Sequence, residues 1–134
     1  MQGLMRKTGI DYGRCNQRSI AWGIAKACAD AGAELAFTYQ GEALERRVRP
    51  LAESVNAEIM PCDVTDDASL DAVFEKLKSD WGKLDFVVHA IAFADKDELT
   101  GRYVDTSPQN FQMSLNIPLL QLHRRHAACR ETDA

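Results

Sequence analysis

From Ser19 onward the spacing of apolar residues switches repeatedly between a helical and a strand period. Ile20, Ile24, Cys28 and Ala31, with Ala21 and Ala25 beside them, form one stripe at helical spacing. Ser19 stands where an N-cap belongs and Gly32 where a helix stops. Leu35, Phe37 and Tyr39 then alternate, predicting a short strand that ends at Gln40-Gly41. Leu44, Val48, Leu51 and Val55 mark a second helix, which Pro50 is expected to disturb. Glu58-Ile59-Met60 leads into a further extended segment through Cys62-Asp63-Val64. Thr65-Asp66-Asp67 offers capping oxygens to a third helix with Leu70, Val73, Phe74, Leu77 and Trp81 on one face, closed by Gly82. The nearly unbroken apolar run from Leu84 to Phe93 reads as a strand buried on both faces. Residues 95–108 are polar and read as a long loop, and Ser107-Pro108 can start a last helix through Phe111, Met113 and Leu115.

Strands alternating with helical crossovers predict parallel pairing in a doubly wound α/β fold of the kind that binds nucleotides. One element of that fold is missing from the pattern. Residues 1–17 contain no β-like run, although the first strand of such a sheet is central.

Composition narrows the class. The 134 residues are 46% hydrophobic and 27% charged, too apolar for a disordered chain and about the size of one domain. The net charge of −4 disfavours nucleic acid as a partner. No apolar run approaches the roughly 20 residues of a membrane span, and the first residues lack a signal-peptide core, so a cytoplasmic location is expected. Cys15, Cys28, Cys62 and Cys129 show no metal-ligand spacing and are expected as reduced thiols. His123 and His126 have no third ligand in view, so no metal site is expected. His89 ends an apolar strand and reads as a core histidine.

The candidate chemistry lies at the strand ends. Gly13 ahead of Ser19-Ile20-Ala21 could form the turn that brings a pyrophosphate to a helix N-terminus, or an ordinary turn. Thr8-Gly9 and Gly13 partly fit a dehydrogenase glycine turn, but Cys15 replaces its last glycine and no strand precedes it, so that match reads as chance. Gln40 occupies the position that reads the adenosine ribose, as an amide in place of the usual carboxylate. Asp63 could accept from an adenine amino group, or serve only as a turn aspartate. Ile91 and Ala92 would lie beside a cofactor, or simply pack in the core.

Four stretches carry a resemblance: Ser19-Ile-Ala-Trp-Gly-Ile-Ala25, Gly32-Ala-Glu-Leu-Ala-Phe-Thr-Tyr-Gln40, Cys62-Asp-Val64 and Trp81-Gly-Lys-Leu-Asp-Phe-Val-Val-His-Ala-Ile91. Together they resemble the NADH-dependent enoyl-[acyl-carrier-protein] reductases of bacterial fatty-acid synthesis, a divergent branch of the short-chain dehydrogenases. The resemblance implies a Rossmann-like doubly wound parallel sheet, here truncated, with a degraded first strand and no C-terminal half. It implies one partial NAD-binding domain, family-like over residues 16–117 and divergent over 1–15 and 118–134. It places NADH against Gly13, Ser19, Ile20, Gln40, Asp63, Val64 and Ile91, and the acyl substrate, carried on acyl carrier protein, against Ala94. It also implies a homotetramer for the full-length parent.

The family's catalytic tyrosine and lysine would lie beyond residue 134, so no catalytic residue is assigned, and Tyr12, Tyr39 and Tyr103 are misplaced to replace them. A non-catalytic NAD-binding fragment and the product of a decayed gene stay open as alternatives. Codons for Lys7–Cys15 can be chosen so that the next frame reads Lys-Arg-Gly-Leu-Ile-Met-Gly-Val, a buried strand leading into a glycine turn. Codons for Leu119–Asp133 can likewise restore a family-like helix, so frameshifts are expected at both divergent places. Sequencing the coding DNA checks this: codons that cannot yield those strings exclude it.

Overall fold

The computed structural model describes residues 8–13 as backbone, and residues 17–63, 65–91 and 95–117. The elements are β1 (Thr8–Gly13), α1 (Ile20–Asp30), β2 (Glu34–Tyr39), α2 (Glu42–Ser54), β3 (Glu58–Pro61), α3 (Asp67–Trp81), β4 (Phe86–Ala90) and α4 (Pro108–Leu115). Short 3-10 turns at Lys96–Glu98 and Tyr103–Asp105 interrupt what reads in sequence as one loop. The four strands are parallel in the order β3-β2-β1-β4.

The first strand exists, which corrects the reading of residues 1–17 as strandless. Thr8–Tyr12 register against Glu34–Thr38 on one side, and Gly9–Gly13 against Phe86–Ala90 on the other. Ladder hydrogen bonds come from the backbone and are blind to side-chain type. Two flanking strands of high β propensity therefore hold a weak strand former between them.

Each face of the sheet has its own core. Leu35 and Phe37 of β2 pack with Ala25 of α1 and with Val48, Leu51 and Ala52 of α2. Ala36 of β2 and Met60 of β3 point the other way, onto Leu70, Val73, Phe74 and Leu77 of α3. Successive strand residues thus serve opposite layers, as the period of two requires, and Leu35 through Thr38 are all buried. The ring of Trp22 meets Phe37 edge-on, with centroids 6.5 Å apart.

Three further expectations change. The buried side of α1 is Ala21 and Ala25, while Ile20 is 83% exposed and Ile24 also reaches solvent. Small side chains let the helix lie close to the sheet, so its inner stripe is alanine. Helix α2 runs unbroken through Pro50. Pro50 and Arg46 are both exposed, so the carbonyl that loses its donor can be hydrated, while Val48, Leu51 and Ala52 hold the helix to the sheet. Strand β4 is half-buried throughout, because among the described residues it has a strand on one side only.

The expected caps form. Ser19, Asp66 and Ser107 each accept a backbone N–H at their helix starts, and Gly82 ends α3 with φ at +72°. Among the described residues no helix is long and apolar enough to cross a membrane.

Leu77 is 2% exposed at the centre of the α3 layer. Leu77→Ala is expected to cost about 2–5 kcal/mol. Ile20→Ala is expected to stay within about 0.5 kcal/mol. Urea denaturation of the two variants beside the parent chain measures both.

Candidate dinucleotide site

Because the strands are parallel, the exits of β1, β2, β3 and β4 lie along one carboxyl edge. That edge collects Gly13, Gln40, Asp63 and Ile91. Gly13 is the last residue of β1, paired with Ala90, and not part of the turn that follows. Thr8 and Gly9 begin the same strand, so they form no glycine turn. Val64 and Ala94, and also Ala92, fall outside the described residues.

Helix α1 starts at this edge, and its N-terminus has a defined donor pattern. Ser19 Oγ accepts from the Trp22 N–H at 3.1 Å, and the Ser19 carbonyl accepts from the Gly23 N–H at 3.2 Å. Helix geometry provides no internal partner for the Ile20 and Ala21 amides. Those donors, at the positive end of the helix, suit an anionic oxygen. Ser19 and Ile20, expected at a pyrophosphate, form this helix start.

The corner that holds Gln40 and Asp63 is built by contacts between loops. The Cys62 N–H donates to the Tyr39 carbonyl at 2.8 Å and fastens the exit of β3 to the end of β2. Asp63 follows at once and is held on three sides. Its N–H donates to Ser69 Oγ at 2.9 Å, and its Oδ1 accepts from the Thr65 N–H at 2.9 Å and the Thr65 hydroxyl at 2.6 Å. The Gln40 side chain adds a smaller lowering effect on the same carboxyl. The Thr65 hydroxyl first, then its amide, hold the Asp63 carboxyl below the ordinary carboxylate value, and the smaller effect of burial opposes them. Asp63 is therefore a turn aspartate, and it also faces the residue expected at the ribose.

Tyr39 precedes Gln40 and feels the Glu45 carboxylate. Burial, then the negative charge of Glu45, push that phenol upward, so it stays protonated at neutral pH. Ile91 leaves β4 half-buried and packs against the α3 layer. Its observed contacts are those of a core residue at the rim of the edge.

Beyond β4 a second polar cluster orders the segment after Ala94. Glu98 accepts from the Ser107 N–H at 2.8 Å and the Ser107 hydroxyl at 2.7 Å. Asn110, 6% exposed, accepts from the Asp95 N–H at 3.0 Å. These bonds hold Glu98 below the ordinary carboxylate value, the Ser107 amide contributing most. A cavity of about 390 Å³ opens between this segment and α4, lined by Leu99, Tyr103, Phe111 and Leu115 among others. None of the carboxyl-edge residues lines it.

Sequence reasoning missed Thr65, Ser69, Glu98 and Asn110. The Asp-x-Thr spacing at Asp63 is a legible turn signal. The Glu98–Ser107 contact joins residues nine apart and has no local signal.

The profile of a family described as enoyl-(acyl carrier protein) reductase matches residues 13–132. Enoyl-[acyl-carrier-protein] reductase [NADH] 1 of Rhizobium meliloti is 62% identical over 117 residues, covering 86% of this chain and 43% of its own length. The solved enoyl reductase of Anaplasma phagocytophilum in complex with NAD superposes with a TM-score of 0.90 at 48% identity, covering 94% of this chain and 48% of that one. The Bacillus cereus enoyl reductase, solved with NADP+ and an indole naphthyridinone, gives 0.92 at 44% identity, covering 98% and 52%. The chain spans about half the length of the curated relatives it matches.

A folded carboxyl held low stabilises the fold above its unfolded pKa, and that contribution is lost as pH falls through the folded value. Thr65→Val removes the largest cause for Asp63. Its carboxyl midpoint, followed by carbon NMR, is expected to rise toward the ordinary value, so that the variant is less stable at neutral pH and loses less further stability in acid.

Proposed function

Since the chain belongs to the enoyl-(acyl carrier protein) reductase family, we propose that its 134 residues form the dinucleotide-binding half of an NADH-dependent enoyl-acyl-carrier-protein reductase. The observation that carries this reading is the shared carboxyl edge, where the open amides of α1 face the same rim as Gln40 and Asp63.

The residues present fit the cofactor. Backbone amides at Ile20 and Ala21 would hold the pyrophosphate, with Gly13 and Ser19 shaping the approach. Gln40 would meet the adenosine ribose. A carboxylate has roughly four acceptor positions, and at Asp63 Thr65 takes two, which leaves room for an adenine amino group. Val64 would flank the adenine, Ile91 the ring system nearer the nicotinamide, and Ala94 the acyl chain. When bound, the nicotinamide supplies the hydride that reduces the double bond of a trans-2-enoyl thioester. The chain's own part is to bind and orient: the edge donors take the phosphates, and the bonds of Glu98 and Asn110 order the segment on the substrate side. The same reading places the protein in the cytoplasm, with enoyl groups on acyl carrier protein as substrates and a homotetramer as the full-length assembly.

The tyrosine and lysine that complete the family's chemistry are assigned outside residues 1–134. Tyr39 is engaged with Glu45, and Tyr103 lies on a 3-10 turn. The 134-residue chain is therefore expected to bind NADH, read as a change in nicotinamide fluorescence, yet to consume none when mixed with a crotonyl thioester. Turnover would overturn the division into halves, and absence of binding would overturn the cofactor site.

A further inference from the structure

Asp63 stands half-buried just past the end of β3, and its main chain and its carboxyl are held by different partners. The Cys62 N–H reaches the Tyr39 carbonyl at 2.8 Å, and the Asp63 N–H donates to Ser69 Oγ at 2.9 Å. These bonds tie the backbone entering Asp63 to the end of β2 and to the first turn of α3.

The carboxyl has a restraint of its own. The Thr65 N–H at 2.9 Å and the Thr65 hydroxyl at 2.6 Å both donate to Oδ1, and neither uses Oδ2. Each carboxylate oxygen offers about two acceptor positions, so Thr65 fills Oδ1 and an incoming donor meets Oδ2. Two bonds onto one oxygen also stop the carboxyl from turning about its broad terminal torsion. Adenine presents its 6-amino group as a donor. A site built to bond an N–H rejects the analogue that lacks it, because the acceptor is left unpaired. That rejection is sharpest where the acceptor is ordered before the ligand arrives.

We propose that Thr65 is a positioning residue for base recognition: by holding Oδ1 it orders Asp63, so that Oδ2 receives the adenine 6-amino group and a base without that group is rejected. This rests on the dinucleotide-site reading above, in which Asp63 meets the adenine. Thr65 acts through Asp63 and needs no ligand contact of its own.

The test is a set of binding titrations with NADH and with nicotinamide hypoxanthine dinucleotide in its reduced form, in which a carbonyl oxygen replaces the 6-amino group. Taking the ratio of the two affinities within each variant cancels any change in the folded fraction. The parent chain is expected to favour NADH by roughly tenfold, the scale of one hydrogen bond to a charged group. Thr65→Val is expected to lower that ratio roughly fivefold, the scale of ordering one side chain. Thr65→Ser keeps the hydroxyl and is expected to keep the ratio. Asp63→Ala is expected to bring the ratio near one, and adding Thr65→Val to it should change nothing further. With a selective parent, an unmoved ratio in Thr65→Val, or an equal fall in Thr65→Ser, overturns the proposal and leaves the cofactor site standing. A Thr65→Val effect that persists beside Asp63→Ala overturns it in favour of a direct contact of Thr65 with the base. Equal binding of both dinucleotides by the parent overturns the proposal together with the Asp63–adenine pairing. Binding of neither overturns the cofactor site as well.

Discussion

The structure depends on backbone pairing along β1. That strand is the only described link between the β2–β3 pair and β4, and it is hydrogen-bonded on both sides. Parallel strands cannot be joined by a tight turn, so each step through this sheet spends a helix as crossover. The crossovers α1 and α2 cover one face and α3 the other, and only a central β1 lets both layers share a single sheet. Its composition, Thr-Gly-Ile-Asp-Tyr-Gly, is poor for a strand, so the pairing itself carries the order.

Two-sided covering sets the remaining packing rules. In β2 odd and even positions both face apolar layers, and Phe37 and Ala36 are 1% and 0% exposed on opposite sides. The large residue faces α1 and α2, where Ala25 and Ala52 leave it room, and the small one faces the bulkier Phe74 and Leu77 of α3. Volume is matched across each interface rather than along the strand. The same logic explains α1, whose isoleucines turn outward because alanine suits the close approach to the sheet.

Most of the fold was legible because most of its signals are local. Ser19, Asp66, Ser107 and Gly82 mark their helix ends by cap chemistry, and the apolar face of α3 was readable residue by residue. β1 was not legible, since its stability comes from partners more than 20 residues away in sequence, such as Glu34 and Phe86. The continuity of α2 was hidden for a related reason: propensity marks Pro50 as a break, whereas burial of Val48 and Leu51 decides the outcome. At the site, Gln40 and Asp63 could be picked out singly by their place after strands. That they end up beside each other follows from the Cys62–Tyr39 bond, which no spacing rule contains.

The corner that brings Gln40 near Asp63 draws on a small part of the molecule. Its geometry comes from β2, β3 and the start of α3, fastened by bonds of Cys62, Thr65 and Ser69. The open amides at the same edge come from α1, which packs on β1, β2 and β4. Apart from β4, these elements lie within the first 81 residues. The segment after β4 differs in kind: it follows a strand that is half-buried throughout, and leaves Leu99, Tyr103 and Val104 largely exposed. The first region is tied together by hydrogen bonds between loops, and the second begins where the cover of the sheet thins out.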